Sequence, residues 1–346
     1  MLGIPPPADL PHMPSRNEKK ATPMKRRTLL LATLAVPASL ALQGTAQAAG
    51  YPSKPIELVV PNIATGSTDM VARTFARHAE KRIGKPLVIV RITGAGGYNG
   101  SRAVREDQSR GYKVLLTHQG LIANYLTRMA PYSYDGFKVG PVVAEDATVG
   151  LYVSGRSKIK SINDLLARAR AEPGKVKAAT EYGTYNHFMF LKLQKEQGVK
   201  FQMVEIPGDA GRIPALLGGS VDVIAKIYSG TEDYLKSGDF VLLGEPTGTR
   251  APNAPHVPTY KEQGVDFTFP PYLFTLFFNR DTPDDVVEQW AEVAREVTSD
   301  PAYRKEIAAL GMAVAYRSPQ ESTAAYAAIQ KTMAELASGA ESFARQ

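Results

Sequence analysis

The chain predicts an α/β fold with parallel-rich sheets and helices on both faces, and three observations carry that expectation. Short apolar runs alternate with helical patterns, and the joints between them are loops bearing glycine or proline. Once a leader-like start is set aside, 298 of the 346 residues remain, more than one core comfortably serves, so two domains are expected.

The leader is recognised by its three-part build. Lys25, Arg26 and Arg27 precede an uncharged apolar stretch at 28–42, which is followed by Ala46-Gln47-Ala48. Cleavage is expected after Ala48, with export to the periplasm. The stretch is shorter than the roughly 20 residues of a spanning helix and contains Pro37, which favours a secretory signal over a retained anchor. The segment before Met24 reads as an upstream extension, and either general or twin-arginine export suits the two arginines.

The first unit is the run Ile56-Glu57-Leu58-Val59-Val60, a loop at 61–66, and a helical pattern at 68–82 that stops at Gly84. A strand at 87–90, the loop Gly94-Ala95-Gly96-Gly97, a helix to about 106 and a strand at 113–117 repeat it. Ser161-Ile162-Asn163-Asp164 has the form of a capping box, and Pro173-Gly174 ends the helix it opens. Strands at 176–180, 203–206 and 221–227 surround a helix at 185–197, and helices at 284–298, 302–310 and 320–336 complete the chain.

Composition excludes several functions. Without cysteine there is no disulfide, thiolate metal site, cysteine nucleophile or lipid-modified cysteine, so a freely soluble protein is expected. Of 41 Lys/Arg and 34 Asp/Glu, six and two fall in the first 48 residues; the remaining 35 against 32 is a net of +3, no nucleic-acid signature. Hydrolase elbows and zinc-helix motifs are missing. Gly84-Lys85 and Gly174-Lys175 lack the hydroxyl a phosphate loop requires, and Asn99 stands where a dinucleotide loop needs glycine. The sixteen tyrosines are scattered, against a ferric-ion site. Neither a cofactor nor a metal is expected.

In open α/β sheets ligands sit where strand ends meet helix starts. The loop Asn62, Thr65, Gly66, Ser67, Thr68 is such a place: the helix N-terminus offers free N–H groups and a positive dipole end to an anion. The alternative is that Ser67 or Thr68 simply caps the helix while Asp69 complements its dipole.

Six segments extend this. Val60-Pro61…Gly66-Ser67-Thr68-Asp69-Met70-Val71-Ala72-Arg73, Gly94-Ala95-Gly96-Gly97-Tyr98-Asn99-Gly100, Asp107…Gly111-Tyr112…Leu115-Leu116, Gly183-Thr184…His187, Leu216-Leu217-Gly218-Gly219-Ser220-Val221-Asp222 and Val257-Pro258-Thr259…Glu262…Gly264 occur in order. Together they resemble the solute receptors of tripartite tricarboxylate transporters. The resemblance implies a periplasmic-binding-protein fold of type II, with two Rossmann-like lobes around a central cleft: 49–150 plus 275–346, and 151–274. It implies a monomer with no enzymatic activity that hands a small organic anion to membrane permease subunits. A sensor partner of a membrane kinase would use the same surface, and a hydrolytic enzyme is the rival class.

The resemblance also implies that the loops at 62–67 and 180–184 hold a ligand carboxylate from opposite sides. That places Thr180, Glu181, Tyr182 and Thr184 at the site, with Gly208 beside them; His187 either steadies the 183 loop or meets the ligand. Departures from the family pattern bear on ligand identity. Lys226 stands where relatives often carry Asp, so it either pairs with a second ligand carboxylate or snorkels into solvent. Ile206-Pro207-Gly208 replaces a Tyr-Lys pair before the glycine. Tyr182 narrows the pocket and could stack on a flat ligand, while Glu181 is expected to face solvent. A dicarboxylate, aromatic or not, is the expected ligand.

Overall fold

A computed structural model describes residues 50–62, 64, 66–146, 149–228, 230–251 and 254–337. The leader and Thr65 therefore lie outside the described residues. The first half runs β1 (Ile56–Val60), α1 (Ser67–Ile83), β2 (Leu87–Arg91), a 3-10 turn (Ala95–Gly97), α2 (Tyr98–Arg105), β3 (Lys113–Thr117), α3 (Gly120–Leu126) and β4 (Lys138–Asp146). Then come β5 (Val149–Ser154), α4 (Ile162–Ala171), β6 (Lys177–Thr180), α5 (Tyr185–Gln197), β7 (Gln202–Glu205), α6 (Gly208–Leu217), β8 (Val223–Ile227), α7 (Glu232–Ser237) and β9 (Phe240–Leu242). The chain closes with β10 (Tyr272–Phe278), α8 (Asp284–Ser299), α9 (Pro301–Ala309) and α10 (Pro319–Ala337).

The strands form two five-stranded sheets, ordered β2-β1-β3-β10-β4 and β7-β6-β8-β5-β9. In the first, β1 runs parallel to β2 and β3, while β10 is antiparallel to β3 and β4. In the second, β6 is parallel to β7 and β8, while β5 is antiparallel to β8 and β9. Each sheet is thus a parallel core with an antiparallel margin, the margin being the strands that carry the chain from one sheet to the other. The sequence reading identified the parallel cores and left out β4, β5, β9 and β10.

Burial explains the alternation of apolar runs. One continuous core, which includes Val59, Leu115, Leu151, Phe188, Phe277 and Tyr326, serves both sheets. A second, with Leu58, Phe75, Trp290 and Tyr303, lies between the first sheet and α1, α8 and α9. Successive residues Leu58 and Val59 thus belong to different cores, as strand geometry requires. The capping box forms as read: the Ser161 hydroxyl accepts from the Asp164 N–H at 3.1 Å, and the Asp164 carboxylate accepts from the Ser161 N–H at 3.0 Å.

The second glycine loop has a packing role. A Cβ at Gly100 would lie 2.6 Å from the Ile92 carbonyl oxygen and 2.8 Å from Pro61 Cβ. Only glycine lets α2 come this close to the exit of β1, where the 62–68 loop begins. Gly100→Ala is therefore expected to lower the unfolding free energy by about 1–3 kcal/mol, the usual cost of overpacking, as read by chemical denaturation. A variant as stable as the parent would show that Pro61 can yield.

Candidate functional site

Two adjoining cavities of about 190 and 250 Å3 lie between the carboxyl ends of the parallel strands. Asn62, His118, Asn186, Arg212 and Tyr272 line both. The smaller adds Gly66, Ser67, Thr68, Asp209 and Lys226; the larger adds Glu181, Tyr182, Gly183 and Thr184. The expected residues Asn62, Gly66, Ser67, Thr68, Glu181, Tyr182, Thr184 and Lys226 are thereby brought together. Thr180, fully buried at the end of β6, His187 behind its loop, and Gly208 at the start of α6 are not on either lining.

The start of α1 is not closed by the side-chain cap that the alternative reading offered. Gly66 is the N-cap of α1 and no side chain caps it, so neither Ser67 nor Thr68 fills the capping role. Asp69 turns away and bonds Arg73 at 2.8 Å and Arg91 at 2.7 Å, which ties α1 to β2. The first N–H groups of α1 are left at the cavity wall with the positive end of the helix dipole. Beside them, among the described residues, the buried Asn62 side-chain oxygen has no hydrogen-bond partner.

The neutral donors come from both sheets. Nδ1 of His118 accepts the Gly120 N–H at 3.1 Å, and burial lowers the ring's pKa to about 4. The imidazole is then neutral and its proton sits on Nε2, a single directional donor. Its ring packs edge-on against Tyr272 with centroids 4.8 Å apart. Tyr272 donates to Asn186 Oδ1 at 3.2 Å, and Asn186 donates in turn to the Ala225 carbonyl at 3.2 Å.

On the opposite loop, Nδ1 of His187 accepts the Gly183 N–H at 3.1 Å. Of the two roles open to His187 in the sequence, steadying the loop is the one observed. Gly183 has φ +74°, and a Cβ there would lie 2.6 Å from Thr127 Cγ2, so this loop also approaches α3 closely. Thr184 Oγ1 donates to the Glu181 carbonyl at 2.7 Å, shaping the turn. Tyr182 stacks on His187 with centroids 5.0 Å apart, and its hydroxyl donates to the Met203 carbonyl at 3.0 Å. One face of that ring is thus already covered.

Lys226 departs from the solvent-snorkelling expectation and has a protein partner that the sequence did not disclose. Only 7% exposed, it does not snorkel, and its ammonium donates to Asp209 Oδ2 at 2.7 Å. Arg212, 8% exposed, donates to Asp209 Oδ1 at 2.8 Å, and its buried Nε–H has no partner among the described residues. Burial pushes the Asp209 carboxyl upward, but Lys226 and Arg212 outweigh it and hold the group below the usual carboxylate range. The lysine lies in the cleft because it ends β8; it is paired because α6 delivers Asp209 across from it.

His118, Asn186, Arg212 and Tyr272 were not read from the sequence as site residues. His118 is the first residue after β3, so the rule that ligands meet strand ends could have found it. Among the described residues, no cluster of three or more His, Asp or Glu could hold a metal ion, and no helix is long and apolar enough to cross a membrane.

Comparison with known proteins places the cleft in a group. The family described as "Tripartite tricarboxylate transporter family receptor" matches residues 71–336. BugT of Bordetella pertussis is 26% identical over 300 residues, covering 85% of this chain and 92% of its own. A Rhodopseudomonas palustris protein with adipate superposes with a TM-score of 0.72 at 24% identity, over 83% of this chain and 98% of its own. MatC of the same organism, with bound malate, superposes with a TM-score of 0.69 at 22% identity, over 83% and 99%. At these identities the two structures establish the shared fold.

The two imidazoles make stability depend on pH. Burial lowers His118 and His187 alike to about 4, against 6.5 for a free ring. Between those values the unfolded chain binds more protons than the folded one, so stability is full above about pH 6.5 and declines as pH falls toward 4. Replacing both histidines with Gln, which retains an acceptor, is expected to flatten the decline of the melting temperature across that window. An unchanged slope would show that other groups set it.

Proposed function

The chain belongs to the tripartite tricarboxylate transporter receptor family, and we propose that it binds a small dicarboxylate in the periplasm and presents it to the permease subunits of such a transporter. As a member of that family it is a receptor, not an enzyme. One carboxylate sits at the N-terminus of α1, among the N–H groups of that helix, Ser67, Thr68 and the Nε2–H of His118. The second acidic group points toward Arg212 and Lys226.

The observation that carries this reading is the pairing of an uncapped helix N-terminus with an unpartnered, buried arginine N–H across one narrow cleft. Charge-assisted hydrogen bonds to a carboxylate are worth about 1.5–3 kcal/mol each, enough for a few of them to orient a small anion. Malate and adipate, held by the two R. palustris proteins of the same fold, are both dicarboxylates. An aromatic ligand has less support, because Tyr182 already stacks on His187. The lobes at 49–150 plus 275–346 and at 151–274 would close around the ligand, and residues 1–48 would be removed on export.

A thermal-shift panel of mono-, di- and tricarboxylates should single out a dicarboxylate. At about 100 times its Kd that ligand adds roughly 2.7 kcal/mol of apparent stability, and NMR should recover it unaltered. A panel without any stabiliser, or a converted hit, would overturn the reading. Arg212→Gln should weaken the chosen dicarboxylate by about tenfold or more, seen by calorimetry, because it removes a buried charged donor.

A further inference from the structure

The two cations of the cleft are already bound to a carboxylate, and that carboxylate belongs to the protein. Asp209 lies in the first turn of α6 and places one oxygen on each cation: Oδ1 on Arg212 at 2.8 Å, Oδ2 on Lys226 at 2.7 Å. The grip is the one a ligand carboxylate would receive from the same pair. Exposure separates the three groups. The Lys226 and Arg212 side chains are 8% and 9% exposed, while that of Asp209 is 41% exposed and also lines the cavity.

We propose that Asp209 is a built-in competitor that occupies the second-carboxylate subsite of this cleft, so that a dicarboxylate seats its distal end on Arg212 and Lys226 only by displacing Asp209. The inference rests on the dicarboxylate reading above and specifies how that subsite works. Three features support it. Asp209 turns on two side-chain torsions and has solvent on one side, so it can leave without rebuilding the core. The cations are held in place by burial, so they cannot follow it out. Arg212 keeps one donor, Nε–H, that Asp209 does not satisfy and a differently placed carboxylate could. Displacement exchanges one ion pair for another. The distal carboxylate therefore adds less net affinity in the parent protein than it would to an unoccupied pair of cations, and the preference for a diacid over its monoamide is smaller than it would be without Asp209.

Calorimetry on the full mature protein, Asp209→Ala and Asp209→Asn, with adipate, its monoamide and hexanoate, tests this. Hexanoate reports on the α1 end alone. Asp209→Ala is expected to bind adipate about tenfold or more tighter than the parent, with hexanoate changed by less than about twofold and the preference for adipate over the monoamide enlarged. Asp209→Asn retains the shape and one of the two acceptors but loses the charge and the second acceptor, so it weakens the competitor and provides the same comparison if the alanine variant does not fold. Adipate affinity that falls or stays level while hexanoate is unchanged overturns the inference and leaves the receptor reading standing. So does a monoamide that binds tighter than adipate and loses its affinity in Asp209→Ala, since Asp209 would then be a ligand contact. Absence of hexanoate and adipate binding from every form would sink the dicarboxylate reading itself, and this inference with it.

Discussion

The site depends on where the chain crosses between its sheets. It leaves the first sheet after β4 and returns to it at β10, and the return is pinned by one fully buried amide. Gln119 donates to the Pro271 carbonyl at 2.6 Å and accepts the Leu273 N–H at 3.1 Å, so both ends of its amide are satisfied in the interior. From the second sheet, Tyr185 donates to the Pro270 carbonyl and Tyr272 to Asn186. An unpaired buried amide would be expensive, so this network favours the observed placement of the crossing segment. With it fixed, the ends of β1, β3, β6 and β8 converge on one cleft.

Charge within the cleft follows from the same geometry. Lys226 and Arg212 are buried to a degree that charged side chains reach only when paired, and Asp209 supplies the pairing. Removing either partner of such a cluster costs more than its contact distances suggest, since the survivor stays desolvated. The two ends of the cleft therefore differ in kind. One is an arrangement of neutral donors around a helix start, the other a cluster of full charges, two cations sharing one carboxylate.

How much of this was legible depended on distance along the chain. Most parallel strands could be read because they are short runs rich in apolar residues that end near a glycine or proline, as β1, β2, β6 and β8 do. The unbroken apolar run of β10 does not distinguish strand from buried helix, and β4 carries Gly140 and Pro141 inside a strand. Helix α6 hid for a similar reason, since Gly208, Gly211 and Pro214 all argue against a helix. That concealment had a consequence for the site. Lys226 was legible as a pocket residue by its position at the end of β8, but its partner sits 17 residues earlier on a helix the pattern did not disclose. Asn62, Gly66 and Thr184 were found because they belong to the turns that strand ends and helix starts require. Asn186 and Tyr272 act through a bond between the two sheets, which no local pattern encodes.

The neutrality of His118 has a functional meaning that a cation in its place would lack. A protonated imidazole would bind an anion more strongly, but burial lowers its pKa to about 4 and Gly120 takes its Nδ1, leaving one N–H in one direction. A donor of that kind selects by geometry, because its bond weakens steeply with angle, whereas a point charge attracts from many directions. The helix dipole works the same way, concentrated at the first free N–H groups and falling off within a turn. A receptor that passes its ligand onward gains from this arrangement. If the lobes close and open as proposed, neutral, directional bonds would lose their strength on opening, while an ion pair would persist over several ångströms. The full charges at the far end do not undo this, because Asp209 is at hand to neutralise the cations as a ligand leaves.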